Sequence, residues 1–254
     1  MDLLYPLSGF VVGAIVGLTG VGGGSLMTPV LVMLFGFAPA TAVGTDLLYA
    51  SLTKGVGAAL HWRRGNVDHR TVMRLLLGSL PAAAITLAVV HALATDSAVV
   101  NAVLSASLGV ALVATAAALL LSDRLRSHAA TAPRSPTPNP RWTIAVGMGL
   151  GILVTLSSVG AGALGTVALL LLVPAMRTSR VVGTDIAHAV PLTLVAGLGH
   201  AALGHVDWKL LGSLLIGSVP GIWLGSAGAS LLPERFVRSA LASLLTIVGV
   251  RLMF

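Results

Sequence analysis

Gly20-Val21-Gly22-Gly23-Gly24 interrupts an apolar run that extends from Leu7 to Phe37. Four of these five positions are glycine. Each glycine in a helix interior costs about 1 kcal/mol relative to alanine, so the helix breaks here. Unbroken, the run of about 31 residues would measure roughly 46 Å, more than the roughly 30 Å of a hydrocarbon core. Split at the glycines, it becomes two half-helices of about 13 residues, enough to reach the midplane and return. The other reading is one long, tilted, broken span. Irregular backbone at membrane depth is tolerated only where it is buried in protein or lines a polar cavity.

A second break of the same kind follows at Ser157-Ser158-Val159-Gly160-Ala161-Gly162. The composition between and around the two breaks is that of a membrane protein. Hydrophobic residues make up 56% of the 254 and charged residues 9%. Mean hydropathy is +0.98, and a soluble globule carries about 25% charged residues. Cysteine is absent, which excludes disulfides and thiolate chemistry and says nothing about compartment. Met1-Asp2-Leu3-Leu4 lacks the basic n-region of a cleavable signal peptide. The net charge of +7 does not point to nucleic acid, because the Lys and Arg residues cluster in loops, as the positive-inside rule expects.

Outward from the first break, Pro39 suits a helix N1 position, and the helix it opens runs to Trp62. His61 to Arg70 is a loop with three arginines, Arg63, Arg64 and Arg70. Further segments are expected at Thr71 to Leu93 and Ser97 to Ser122, and beyond the second break at Val181 to Leu203, Trp208 to Leu232 and Phe236 to Phe254. Asp123 to Arg141 carries Pro133, Pro136, Pro138 and Pro140 and reads as an extended or flexible linker. The chain therefore divides into an N-terminal membrane unit (1–123), a linker (124–141) and a C-terminal membrane unit (142–254).

The two units resemble each other. At a displacement of 139 residues, Val43-Gly44-Thr45-Asp46 falls on Val182-Gly183-Thr184-Asp185, His61 on His200, Val67-Asp68 on Val206-Asp207 and Pro81 on Pro220. At 138, Val21-Gly22-x-Gly24 falls on Val159-Gly160-x-Gly162. Internal repeats build many secondary transporters. The expected fold is all-α and polytopic: two homologous repeats, each with a glycine-broken first segment, re-entrant or spanning, and three transmembrane helices.

Gly22-Gly23-Gly24-Ser25-Leu26-x-x-Pro29, the following Ala42-Val43-Gly44-Thr45 and the weaker copy in the second half together resemble the sulfite exporter TauE/SafE family, also called the toluene-sulfonate uptake permeases. The resemblance covers essentially the whole chain. It implies transport of sulfur oxyanions or small organosulfur compounds across a bacterial inner membrane. The second half departs from the pattern, with Ala161 in place of a glycine and Val167 where Pro29 stands. A site shared by both halves is therefore asymmetric.

Charged residues within spans are rare and usually face a protein interior or a water path. Lys54 lies deep in its segment: it is either a fixed positive charge for an anionic substrate, or a snorkelling lysine, or a structural partner of Asp46 or Asp185. Asp46 and Asp185 sit about two turns into their helices. They are either coupling carboxylates, for a proton or sodium ion, or caps on a neighbouring half-helix, which the helix dipole favours. Gly22, Gly23, Gly24, Ser25, Ser157, Ser158, Gly160 and Gly162 offer hydroxyls and freed backbone N–H groups to an oxyanion, with Thr28 and Thr166 flanking. Close helix packing is the alternative for these small residues. His61 and His200 fit interfacial packing, and His188, opposite Tyr49, fits a hydrogen-bonded interior histidine.

No lysine follows the glycines as a phosphate-binding loop requires, and no metal-ligand cluster or nucleophile–base pair is visible, so neither an enzyme nor a cofactor is expected. The expected activity is secondary transport of a small anion by alternating access at a midplane site, with a passive anion channel as the alternative. Hairpins at both breaks would put Arg63, Arg64, Arg70, Arg74, Arg124, Arg126, Arg134, Arg141, Arg177, Arg180, Arg235 and Arg238 on one side, leaving Lys209 and Arg251 on the other. The charge rule favours this arrangement over eight full spans.

Overall fold

The computed structural model describes residues 3–19, 24–93, 96–131, 139–174, 176–228 and 234–253, and among them there is no strand. The helices in chain order are α1 (Leu4–Thr19), α2 (Gly24–Met33), α3 (Pro39–Arg63), α4 (His69–Ala92) and α5 (Ser97–Thr131), followed by α6 (Pro140–Ser157), α7 (Ala163–Leu172), α8 (Thr178–Ala202), α9 (Trp208–Gly228) and α10 (Glu234–Met253). Local chemistry sets several of these starts. Pro39 and Pro140 open α3 and α6, where a missing N–H costs nothing. The Asn139 side chain accepts from Arg141 N at 3.0 Å. Asp68 and Asp207 cap α4 and α9: Asp68 Oδ1 accepts from Arg70 N at 3.1 Å, and Asp207 Oδ1 from Lys209 N at 2.9 Å.

One boundary differs from the sequence reading. α5 continues through Asp123 to Thr131, residues read as extended linker. From Ser122 to Thr131 the chain holds neither glycine nor proline, so nothing stops the helix before Pro133. Residues 132–138 lie outside the described residues.

The bundle is assembled from helices distant in sequence. α1 lies along α9 and runs parallel to it, with Gly9 against Leu214, Gly13 against Ser218 and Gly17 against Ile222. A Cβ at any of these three glycines would overlap the α9 backbone, so the small residues set the helix separation. α6 runs parallel to α4 in the same manner, Gly147 on Leu75 and Gly151 on Ser79. α3 and α8 are antiparallel, with Gly44 beside His200 and His205, Gly183 beside His61 and Asn66, and the Ser51 hydroxyl donating to Val190 O at 3.3 Å. α5 and α10 are antiparallel as well, Gly109 facing Gly249 and the Ser105 hydroxyl donating to Leu252 O at 3.3 Å.

Both broken segments reverse direction. Tyr5, at the start of α1, stacks edge-on against Phe35 with ring centroids 5.1 Å apart, and lies 6.0 Å from Phe37. The far ends of α1 and α2 therefore meet, as a helical hairpin requires and a continuous span forbids. At the second break, Leu169 and Leu170 near the end of α7 share a cluster with Val146 of α6, Leu75 of α4 and Val181 of α8. α7 has returned to the level at which α6 began.

Five helices among the described residues are long and apolar enough to cross a membrane, falling at His69–Ala92, Ser97–Ser122, Pro140–Ser157, Thr178–Ala202 and Trp208–Ser226. The outer faces are correspondingly greasy: Met73, Leu77, Ile85 and Val89 on α4, and Ile216, Val219 and Trp223 on α9, are all exposed. Such a belt is costly in water and ordinary in lipid. α3 is long enough, at 25 residues, but its interior positions carry Asp46 and Lys54. With α3 and α8 antiparallel, the C-terminal end of α3, the start of α4 and the α7–α8 junction gather at one end of the bundle. Arg63, Arg64, Arg70, Arg74, Arg177 and Arg180 lie at that end, as does Arg141 at the start of α6. Lys209 and Arg251 lie at the other.

Candidate functional site

The second break is fully described. α6 ends at a left-handed C-cap, Ser158, with φ 58°. Gly160 and Gly162 follow with φ 115° and 153°, a region that side chains other than glycine rarely enter. Gly162 is the N-cap of α7. The loop is stitched internally: Ser158 N donates to Val154 O at 2.8 Å, Gly165 N to Gly160 O at 3.0 Å, and Thr166 N to Gly162 O at 2.9 Å. The Ser157 hydroxyl donates to Leu153 O at 2.6 Å and accepts from Val159 N at 3.2 Å. Its hydrogen-bonding capacity is thus spent on holding the break open. At the first break α1 stops at Thr19 and α2 starts at Gly24. Gly22 and Gly23 lie outside the described residues. Gly24 opens α2, and Ser25 is buried in its first turn with an interaction of its own.

Lys54 reaches this loop. Its ammonium donates to the carbonyl of Ala161, across 107 residues of sequence. A lysine side chain on α3 leans toward the N-terminal end of its helix, which carries the charge from position 54 down to the tip of the α6–α7 hairpin. Lys54 is half-buried. Asp185 and then Asp46 are the charges it feels most strongly, so its hydrogen bond goes to a carbonyl while its field falls on two carboxylates.

The two aspartates are held alike at first sight. The Thr28 hydroxyl of α2 donates to Asp46 Oδ2, and the Thr166 hydroxyl of α7 donates to Asp185 Oδ2 at 3.3 Å. Both carboxylates are buried. Their other oxygens differ. A Cβ on Gly165 would overlap Asp185 Oδ1, so this oxygen lies against the first turn of α7, where backbone N–H groups and the helix dipole favour negative charge. The first turn of α7 is therefore taken by a carboxylate of the protein itself. Asp46 Oδ1, fully buried, has no hydrogen-bond partner, and neither has the Ser158 hydroxyl. These two groups act on each other.

Two braces, missed in the sequence, fix α3 and α8 to opposite loops. The Thr184 hydroxyl accepts from Asp68 N at 3.0 Å, and the Thr45 hydroxyl accepts from Asp207 N at 3.0 Å. Each threonine directly precedes a buried aspartate, and each braced N–H belongs to a helix-capping aspartate. The signal was present, since Thr-Asp and Val-Asp recur in one frame, but their pairing across the halves was not. Of the histidines, His188 is buried and shares a 2.9 Å hydrogen bond with the Ser79 hydroxyl. His200 is fully buried, Nε2 donating to Thr155 O at 2.9 Å and Nδ1 lying 3.2 Å from His205 Nδ1. No group of three or more His, Cys, Asp or Glu able to hold a metal occurs among the described residues.

No solved structure matches this chain. Similar proteins are found in Bacillus subtilis (strain 168). The probable membrane transporter protein YjnA is 38% identical over 258 residues, covering 100% of both chains. The probable membrane transporter protein YdhB is 26% identical over 99% of this chain and 100% of its own length. A third, the probable membrane transporter protein YunE, is 40% identical over 70 residues, 28% of this chain and 26% of its own. The model of the sulfite exporter TauE/SafE family matches residues 5–252. The bundle, its apolar outer faces and these matches lead to one conclusion: the chain belongs to the sulfite exporter TauE/SafE family, whose members are membrane transporters.

Proposed function

We propose that this protein is a secondary transporter of a small anion, a sulfur oxyanion or organosulfonate such as sulfite, in a bacterial inner membrane. The observation that carries this reading is the Lys54 ammonium held on the Ala161 carbonyl, at a break in the helix. A half-buried positive charge beside irregular backbone suits an anion. Lys54 supplies the charge, while Gly24, Ser25, Ser158, Gly160 and Gly162, together with Gly22 and Gly23, frame the substrate. Asp46 and Asp185 are the candidates for coupling to a proton or sodium ion.

The two units are read as inverted repeats, 1–123 and 142–254. Three features support this. α3 and α8 are antiparallel, as are α5 and α10, and the α1–α9 pair has its counterpart in α6–α4. The arginine-rich end is read as cytoplasmic by the charge rule, with Leu3 and Met253 on the periplasmic side. Alternating access then consists of one hairpin and its partner helix rocking against the other. Sulfite, thiosulfate, sulfate, a sulfonate and a carboxylate offered to the purified protein in a thermal-shift series test the substrate class. Stabilisation by sulfur oxyanions alone is expected. A counterflow assay in liposomes tests the mechanism, since exchange that saturates marks a carrier and conductance that does not saturate marks a channel.

A further inference from the structure

Asp46, Asp185 and Lys54 bring two negative charges and one positive charge into the interior of the bundle. The set is formally −1 with both carboxylates ionised, the wrong sign for a site that receives an anion. Asp185 is already compensated by the start of α7 and Thr166. Asp46 accepts from the Thr28 hydroxyl on Oδ2, with Ser158 and Lys54 its other favourable neighbours. Its second oxygen, Oδ1, is orphaned in a fully buried position, and so is the hydroxyl of Ser158, which is 2% exposed. Buried oxygens with no partner are costly and rare. Asp46 and Ser158 act on each other, so one positive ligand could satisfy both oxygens.

The surroundings favour a cation here. Ser158 is the C-cap of α6, and the C-terminal end of a helix carries the negative end of its dipole. Half-helix C-termini of this kind coordinate sodium or protons in transporters built from broken helices. The charged and titratable groups facing Asp46 are Lys54 and Tyr49, both from α3, while Thr28 from α2 and Ser158 from the end of α6 are neutral. Lys54 donates to Ala161 O and not to Asp46 Oδ1.

We propose that Asp46 Oδ1 and Ser158 Oγ together hold a monovalent cation at the C-terminal end of α6, and that this cation must load before an anion is taken up beside Lys54. The first clause stands on the orphaned oxygens. The second rests on the anion-transport reading above. The two aspartates then have separate tasks, with Asp185 a fixed cap on α7 and Asp46 the group that is loaded and unloaded. A sodium ion accepts the two oxygens as ligands. A proton on Asp46 instead lets the carboxyl donate to Ser158.

The test uses the purified full-length chain, its binding of radioactive sodium and its melting temperature. Sodium replaces choline at constant ionic strength and pH in one arm, and pH is varied without sodium in the other. For a sodium site, saturable sodium binding is expected in the parent, absent in Asp46→Asn and weakened about tenfold in Ser158→Ala. For a proton site, sodium has no effect, and the pH dependence of melting in the parent disappears in Asp46→Asn. Neither a sodium effect nor a pH dependence traceable to Asp46 would overturn the site. If Asp46→Asn does not fold, Ser158→Ala carries the test alone: parent-like sodium affinity and parent-like pH dependence overturn the site. Anion affinity is measured separately, with and without sodium and across pH. Anion binding indifferent to both overturns the loading order. A cation site without any anion binding leaves the first clause standing and removes the transport reading.

Discussion

Replacing Gly165 with alanine examines how Asp185 is seated. The new Cβ would overlap Asp185 Oδ1, and the atom in the way is a carboxylate packed on helix backbone rather than the free end of a flexible chain. The carboxylate must leave the first turn of α7. It then loses the Thr166 hydrogen bond, about 1.5–3 kcal/mol for a bond to a charged group. It also loses the favourable field of the helix N-terminus, about 0.3–1 kcal/mol and up to ~2 when partly buried. Alanine returns up to ~1 kcal/mol of helix propensity. The balance is a loss of about 2–3 kcal/mol, roughly 5–10 °C in melting temperature for a chain of this size. Gly149→Ala is the control, since nothing lies within 4 Å of its Cβ, and it should gain about 0.5–1 kcal/mol. The assay is melting in detergent for Gly165→Ala, Asp185→Ala and the double variant. In the Asp185→Ala background the cost of Gly165→Ala should largely vanish, giving a coupling of about 1–3 kcal/mol. An undiminished cost in the double variant, or a Gly165→Ala protein that behaves like the control, would refute the reasoning.

Lys54→Met keeps the length and removes the charge, so affinity for the transported anion should fall at least about tenfold by equilibrium binding; unchanged affinity removes the lysine from the site. Thr45→Val and Thr184→Val each leave a loop N–H without its partner, and each should cost about 1–3 kcal/mol of stability; two proteins with parent-like melting would show that these braces bear no load. Leu3→Cys and Met253→Cys should react with a membrane-impermeant thiol reagent in intact cells, and Arg180→Cys only after lysis; the reverse pattern rejects the proposed orientation.

The breaks were legible because clustered glycine has a single strong consequence, the loss of helix, whatever surrounds it. That α1–α2 turns back rather than spans was left open by length alone, and the meeting of Tyr5 with Phe35 decides it. Lys54 could be singled out because a lysine in an apolar helix is rare. Its partner could not, because a backbone carbonyl 107 residues away leaves no mark in composition. Thr28 and Thr166 read as hydroxyls available to an oxyanion. In the structure they serve the aspartates 18 and 19 residues further on, a pairing set by how the hairpins return. The helical extension of α5 was hidden by the prolines downstream, which lent their character to the stretch from Asp123 to Thr131 that does not share it.

On the proposed duplication, agreement and disagreement between the halves fall in different places. Thr45 and Thr184, Asp68 and Asp207, Asp46 and Asp185, and Thr28 and Thr166 correspond and make matching contacts. They hold helices to loops and carboxylates to half-helices. The correspondence fails around the proposed site. Lys54 stands opposite Thr193, whose hydroxyl donates to Ala189 O at 2.9 Å and brings no charge. Ser158 stands opposite Gly20, which has no hydroxyl to offer. Tyr49, near Ser218, stands opposite His188, on Ser79. A perfectly paired site with two carboxylates and two lysines would be neutral and would have no need of an ion. With one lysine the set carries an uncompensated negative charge, and the carboxylate left with an orphaned oxygen is the one beside the added hydroxyl of Ser158. An anion approaching Lys54 increases that imbalance unless a cation has neutralised Asp46 first. The broken symmetry thus links the two ligands, since the missing second lysine makes anion binding depend on a cation that Ser158 helps to hold.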